Sequence, residues 1–265
     1  MAHKSNADFI ADMMEMFKVE DAERTTDSQI SDLAPFLYAP HPKLKGVIEQ
    51  LEAFAKGDVD LTQKQSGDLL EVAAALCFAG LNGGVTPINA RSADAQFDLL
   101  QFDSLDKRWF VALWVLGFAS ERRLFLGECK CYGPTKESLK KRKPDGPKVG
   151  QREYARLAGL MLTSTMDAAG MGVMFSIWGE SGAGYEQAVG DARLFRLLFL
   201  ARHKRPIIDI TAKDMRDWCL QKGGFVRLLL GKKNELAALS GIEFVTVEAV
   251  EQVKKLPKHL RDALK

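Results

Sequence analysis

The chain is 265 residues long and 46% hydrophobic, and its 37 Lys+Arg against 35 Asp+Glu leave a formal net charge of only +2. That hydrophobic share suffices for one large core or two modest ones and excludes a wholly disordered chain. No apolar run reaches the ~18–20 residues of a membrane span, so a soluble, cytoplasmic protein that avoids membranes is expected.

The first residues, Met1 to Asp12, are polar and partly acidic, unlike a secretory leader. Four cysteines (Cys77, Cys129, Cys131 and Cys219) are too few and too scattered for a disulfide scaffold, which points to a reducing interior. Cys129 and Cys131 flank a single residue with no His nearby, the wrong spacing for zinc. The small net charge hides an asymmetry: residues 1–60 hold 6 Lys/Arg and 12 Asp/Glu, a net of −6, so the other 205 carry +8. The acidic segment is a poor nucleic-acid surface and a candidate contact for a protein partner, whereas the basic remainder suits nucleic acid.

In chain order, Phe9, Ile10, Met13, Met14 and Phe17 recur at helical spacing and predict a helix from Asn6 to about Arg24. Pro35, Pro40 and Pro42 punctuate the next stretch, before a second helix from about Lys43 to Lys56. Together these make a helical N-terminal lobe, residues 1–60, bounded at Gly57 and Asp58. Leu69, Leu70, Val72, Ala73, Leu76 and Cys77 form the apolar face of a helix that Gly80 and Gly83–Gly84 end. Val85–Ile88 is a short strand candidate that Pro87 restricts to an edge, and Phe97–Phe102 reads as a strand. Trp109–Phe118 is apolar throughout, a strand or a buried helix.

Leu124–Cys131 reads as a strand with polar residues in its C-terminal half, followed by a Lys-, Pro- and Gly-rich loop over Gly133–Gly150. A helix over Gln151–Ala169, a strand over Gly172–Trp178, a helix over Glu186–His203 and a buried strand over Ile207–Ile210 complete a core of residues 61–212. Helical segments from Lys213 to Ser240 and Val247 to Leu264, broken at Gly223–Gly224 and Pro257, form a C-terminal extension, residues 213–265. Strands separated by helices predict an α/β fold, a central mixed β-sheet flanked by helices.

The chemistry gathers at Glu128-Cys129-Lys130. Strand alternation puts Glu128 and Lys130 on one face, about 7 Å apart along it. A strand so apolar upstream belongs in the middle of a sheet, where an unpaired Lys or Glu is costly. The alternative is an exposed ion pair on an edge strand, worth little. Asp98 on the earlier strand and Glu71 on the helix before it complete three carboxylates and one ammonium. That set suits Mg²⁺-assisted phosphodiester hydrolysis. Hard oxygen ligands hold the ion, which acidifies a bound water and polarises the phosphoryl oxygen, while a Lys positions the water and offsets developing charge.

The chain here resembles the PD-(D/E)XK nucleases, the restriction-endonuclease-like fold, and within them the Mrr-like type, over about residues 66–210. Gly67-Asp68-Leu69-Leu70-Glu71 is similar to the family's opening helix with its acidic residue, and Phe97-Asp98-Leu99-Leu100 to the strand bearing the metal-binding Asp. Gly127-Glu128-Cys129-Lys130 looks like the E-x-K strand, and Gln151, with Tyr154, resembles the Gln on the helix after it. The resemblance implies an endonuclease in which Asp98 and Glu128 ligate Mg²⁺ or Mn²⁺, Lys130 assists the attacking water, Glu71 supports the metal and Gln151 belongs to the site. No Pro precedes Asp98, and the Trp109–Phe118 segment lengthens the Asp-to-Glu spacing, so Asp103 and, more weakly, Asp94 are rival ligands.

The loop Gly133–Gly150 carries Lys136, Lys140, Lys141, Arg142, Lys143 and Lys148 against two acids, a net of +4, immediately after the E-x-K strand. It is either a phosphate-neutralising surface or a solvated insertion. DNA is favoured over RNA as substrate, and paired cuts in a duplex imply a homodimer. Two other functions compete. Gly179-Glu180-Ser181-Gly182-Ala183 falls one residue short of the G-x-S-x-G nucleophile elbow of a serine esterase using Ser181, with His203 or His259 as the downstream base. A catalytically inactive nuclease-like module that binds nucleic acid or a protein partner is the other, against which intact Asp98, Glu128 and Lys130 argue.

Overall fold

The computed structural model of the chain describes residues 38–81, 88–91, 96–101, 116, 124–140, 146–163, 169–182 and 192–240. Helix α1 (Leu44–Lys56) buries Leu44, Ile48 and Leu51, one stripe at helical spacing, and stops where Gly57 turns left-handed (φ 78°). Helix α2 (Gln63–Ala79) starts at a capping box in which Thr62 and Gln65 satisfy each other's backbone N–H groups. Strands β1 (Ile88–Arg91), β2 (Gln96–Gln101) and β3 (Leu124–Lys130) follow, then helix α3 (Gln151–Met161), β4 (Ala169–Ser176), helix α4 (Ala192–His203), β5 (Ile207–Thr211) and helix α5 (Gly224–Ser240).

The sheet has five strands in the order β1-β2-β3-β4-β5. The first three pair antiparallel, and β3–β4 and β4–β5 pair parallel. This is the mixed α/β architecture that alternating helix and strand signals predict. The parallel half is apolar because helices cover both its faces: β4 is buried along its whole length, and β3 from Phe125 to Cys129.

On one face Phe125, Phe175 and Ile210 pack with α1, α2 and α5, and Phe78 meets the rings of Phe125, Phe175 and Phe225 edge-on at 5.4–6.4 Å. On the other, Leu126, Met174 and Ile207 pack against Tyr154, Leu157 and Met161 of α3 and Phe199 of α4. Each buried aromatic contributes roughly 2–3 kcal/mol, so apolar packing on both faces fixes β3 at the centre of the sheet.

The helix expected to run to Ala169 ends at Met161, and Ala169 already belongs to β4, opposite Leu124 of β3. The small apolar residues there fit either period, and pairing with the central strand claims them. The expected helices before residue 38 and after 240 and the segment 109–118, apart from buried Leu116, lie outside the described residues, as do Asp94 and Asp103. All four cysteines are free thiols, and no helix among the described residues is long and apolar enough to cross a membrane.

Candidate active site

Strand β3 carries Glu128 to the α3-facing side of the sheet, where its side chain is only 1% exposed. Its Oε2 accepts hydrogen bonds from Arg156 Nη1 at 2.7 Å and Lys130 Nζ at 3.4 Å, while Lys130 also donates to its neighbour's carbonyl, Cys129 O, at 3.3 Å. Glu128 Oε1 is buried and has no hydrogen-bond partner among the described residues. Burial, and then the charge of Asp98, push the Glu128 carboxyl up to about pH 7, against the opposing pull of Lys130 and Arg156. A central position and a buried carboxylate are the opposite of an exposed edge-strand ion pair.

Asp98 stands on β2, one residue beyond the Leu99↔Gly127 pair, which sets it level with Glu128 across the ladder. Its Oδ2 accepts the Cys129 backbone N–H at 2.8 Å, so this carboxylate is bonded to the E-x-K strand itself. Glu71 approaches from α2. Burial first, and then the charges of Asp98, Glu71 and Glu128, raise the Cys129 thiol well above its ordinary pKa. All three carboxylates singled out in the sequence therefore act on one residue, the one between Glu128 and Lys130.

Gln151 does not join them: it is exposed in the first turn of α3, and no contact links it to these carboxylates among the described residues. The α3 residue that reaches Glu128 is Arg156, which the sequence reading passed over. Helix α3 is tied down by buried Tyr154, whose hydroxyl donates to Asp209 Oδ1 on β5 at 2.7 Å. Asp209 lies opposite Met174, which in turn lies opposite Glu128. Burial raises the Asp209 carboxyl to about pH 6, partly opposed by the Tyr154 bond and Arg196, and Arg196 is itself ion-paired to Glu180.

Of the basic loop, Lys136, Lys140 and Lys148 are described and exposed, while Lys141, Arg142 and Lys143 lie outside the described residues. Both ends of the loop are fastened. Trp178 Nε1–H donates to Tyr132 O at 2.9 Å, and its ring lies so close to Gly146 that an added Cβ would overlap it. Val149 donates to Gly179 O at 2.9 Å and accepts from the Ser181 N–H at 2.8 Å. The Gly-rich turn after β4 thus serves as the clasp of the cationic loop. His203, the described candidate partner for Ser181, packs its ring on Phe199, centroids 4.7 Å apart.

Protein-family models, curated proteins and solved structures were all compared with the chain, and none of them matches it.

Among the described residues no three His, Cys, Asp or Glu side chains converge as a metal-ligating cluster. The level pair of Asp98 and Glu128, with one buried oxygen of Glu128 unpartnered, still fits an ion that takes one or two carboxylates and keeps several waters. That description suits Mg²⁺ rather than an ion needing a full protein cage. Beside it stand an ammonium, Lys130, and a guanidinium, Arg156, groups that hold and polarise phosphate.

Proposed function

We propose that the protein is a metal-dependent nuclease of the PD-(D/E)XK type, hydrolysing phosphodiester bonds of nucleic acid, DNA in preference to RNA, with Mg²⁺ or Mn²⁺. One observation carries the reading: Asp98 and Glu128 lie level on adjacent central strands, and Lys130 and Arg156 meet on one oxygen, Oε2, of buried Glu128. The order helix, three antiparallel strands, helix, parallel strand around β3 supports a restriction-endonuclease-like core.

In this reading Asp98 and Glu128 hold the metal, with Glu71 supporting from α2. The bound ion supplies an acidified water and a polarised phosphoryl oxygen. Lys130, whose side chain is 23% exposed beside buried Glu128, orients the water and faces the charge that develops on the phosphate. Lys136, Lys140 and Lys148 neutralise flanking phosphates without reading sequence. A homodimer is the assembly that would cut both strands of a duplex, in the cytoplasm, and the acidic composition of residues 1–60 suits a protein partner.

A second reading, a nuclease-like module that binds without cutting, is favoured by the Arg156–Glu128 ion pair, which sets a protein cation where a metal would go. The test is incubation with linear, circular and single-stranded substrates in Mg²⁺, Mn²⁺ or EDTA. Cleavage in metal alone supports the nuclease; DNA binding without cleavage under every condition supports the module. Hydrolysis of an ester that survives EDTA and disappears in Ser181→Ala would assign the chain to the esterases instead.

A further inference from the structure

Glu128 is buried, yet its closest partner is not. Arg156 is 49% exposed, reaches inward with Nη1 alone, and leaves Nε and Nη2 without partners among the described residues. Its bond to Oε2 is 2.7 Å against 3.4 Å for Lys130, so the guanidinium makes the shorter of the two contacts to Glu128. The other oxygen of the same carboxylate, Oε1, is buried without a partner. The Tyr154–Asp209 bond holds the backbone of α3 two residues from Arg156, so the long arginine side chain can swing while its base stays put.

We propose that Arg156 is a mobile catalytic cation of this site: it sits on Glu128 until a divalent metal claims that carboxylate, and then binds the non-bridging oxygens of the scissile phosphate. This rests on the nuclease reading above and adds a residue to it. A guanidinium pairs with carboxylate or phosphate through the same planar donors, so the exchange keeps the hydrogen-bond type and changes only the anion. No covalent bond forms or breaks in it. The exchange also gives the metal and the substrate a common trigger, because Arg156 becomes available to phosphate only once Glu128 is occupied.

The test uses the full chain and Mn²⁺ as the probe, by calorimetry without nucleic acid. Arg156→Gln is expected to bind Mn²⁺ roughly tenfold more tightly than wild type, because a competing cation has gone. Duplex binding is then measured by fluorescence anisotropy in a Lys130→Ala background, which holds the substrate uncut. In Mn²⁺ the added Arg156→Gln change should weaken binding roughly tenfold and lower the slope of log K against log salt by about one phosphate contact. In EDTA the two proteins should bind alike, and Arg156→Lys should restore part of the loss. Unchanged or weaker Mn²⁺ binding by Arg156→Gln, with wild type still binding metal and cutting DNA, would overturn the role of Arg156 and leave the nuclease standing. Mn²⁺ binding by neither protein would overturn both. Binding by Arg156→Gln alone would support Arg156 as the occupant of the site and make the wild-type chain a binding module.

Discussion

The Tyr154 hydroxyl donates to Asp209 Oδ1 at 2.7 Å, joining helix α3 to strand β5 beneath a face that also carries Glu128. Both partners are buried, and the bond favours the ionised carboxylate. Tyr154→Phe should therefore cost about 1–3 kcal/mol at pH 8, because the charged Asp209 loses its donor inside the protein. At pH 5, where Asp209 is largely protonated, the loss should be smaller. Urea denaturation at the two pH values checks this.

Asp209 itself makes stability depend on pH. Folding raises its pKa from 3.8 to about 6, so the folded state holds a proton that the unfolded state has released. Stability from this group is fully present below pH 3.8 and falls as pH rises through 6, by on the order of 3 kcal/mol. Asp209→Asn keeps an acceptor for Tyr154 and removes the titration. It should flatten the decline between these pH values, read from chemical denaturation in a pH series.

Glu128 obeys the same sign, its carboxyl raised from 4.5 to about 7. Glu128→Gln should stabilise the fold at pH 8 by up to roughly 3 kcal/mol while abolishing cleavage, since a buried charge retained against its own cost is the mark of a site. A raised melting temperature with lost activity confirms this. A lowered one would mean that the ion pairs with Arg156 and Lys130 outweigh the burial of the charge.

Asp98 has two separable roles. Asp98→Ala removes the acceptor of the Cys129 N–H and should cost about 1–3 kcal/mol as well as activity. Asp98→Asn retains an oxygen acceptor without the charge and should fold near wild-type stability yet fail to cut. Melting temperature and cleavage rate, measured on both variants, separate the roles.

Lys136, Lys140 and Lys148 ring a loop fastened at Trp178 and Val149. Replacing all three with Ala should weaken binding of every duplex sequence alike and lower the salt slope by roughly two to three phosphate contacts. Sequence-selective loss in a competition assay would contradict that role.

What the sequence disclosed followed from local rules. An apolar run with alternating charges at its end marks a central strand bearing one-sided charges, and β3 with Glu128 and Lys130 is that strand. Helix α1 between Lys43 and Gly57 was legible from one apolar stripe and one stop residue. Arg156 was not legible, because its contact depends on how α3 rotates as it docks on the sheet, and Tyr154, Leu157 and Met161 decide that rotation together. The same rotation exposes Gln151, the residue of this helix that the resemblance favoured. Asp209 left only a faint mark, one carboxylate inside the apolar strand Ile-Ile-Asp-Ile-Thr, and its partner lies 55 positions away. The Gly179–Gly182 turn stood out in the sequence only as a near-match to a nucleophile elbow, and its grip on Val149 is a tertiary bridge without a local signature.

The proposed function requires Asp98, Glu128 and Lys130 to act together as a metal-dependent phosphodiesterase site. The most direct measurement is cleavage of circular and linear duplex DNA by wild type, Glu128→Gln and Lys130→Ala, in Mg²⁺, Mn²⁺ and EDTA. Wild type should cut only with metal, and both variants, still folded by circular dichroism, should lose at least about a hundredfold in rate. Undiminished cleavage by either folded variant, or metal-independent cleavage by wild type, would contradict it.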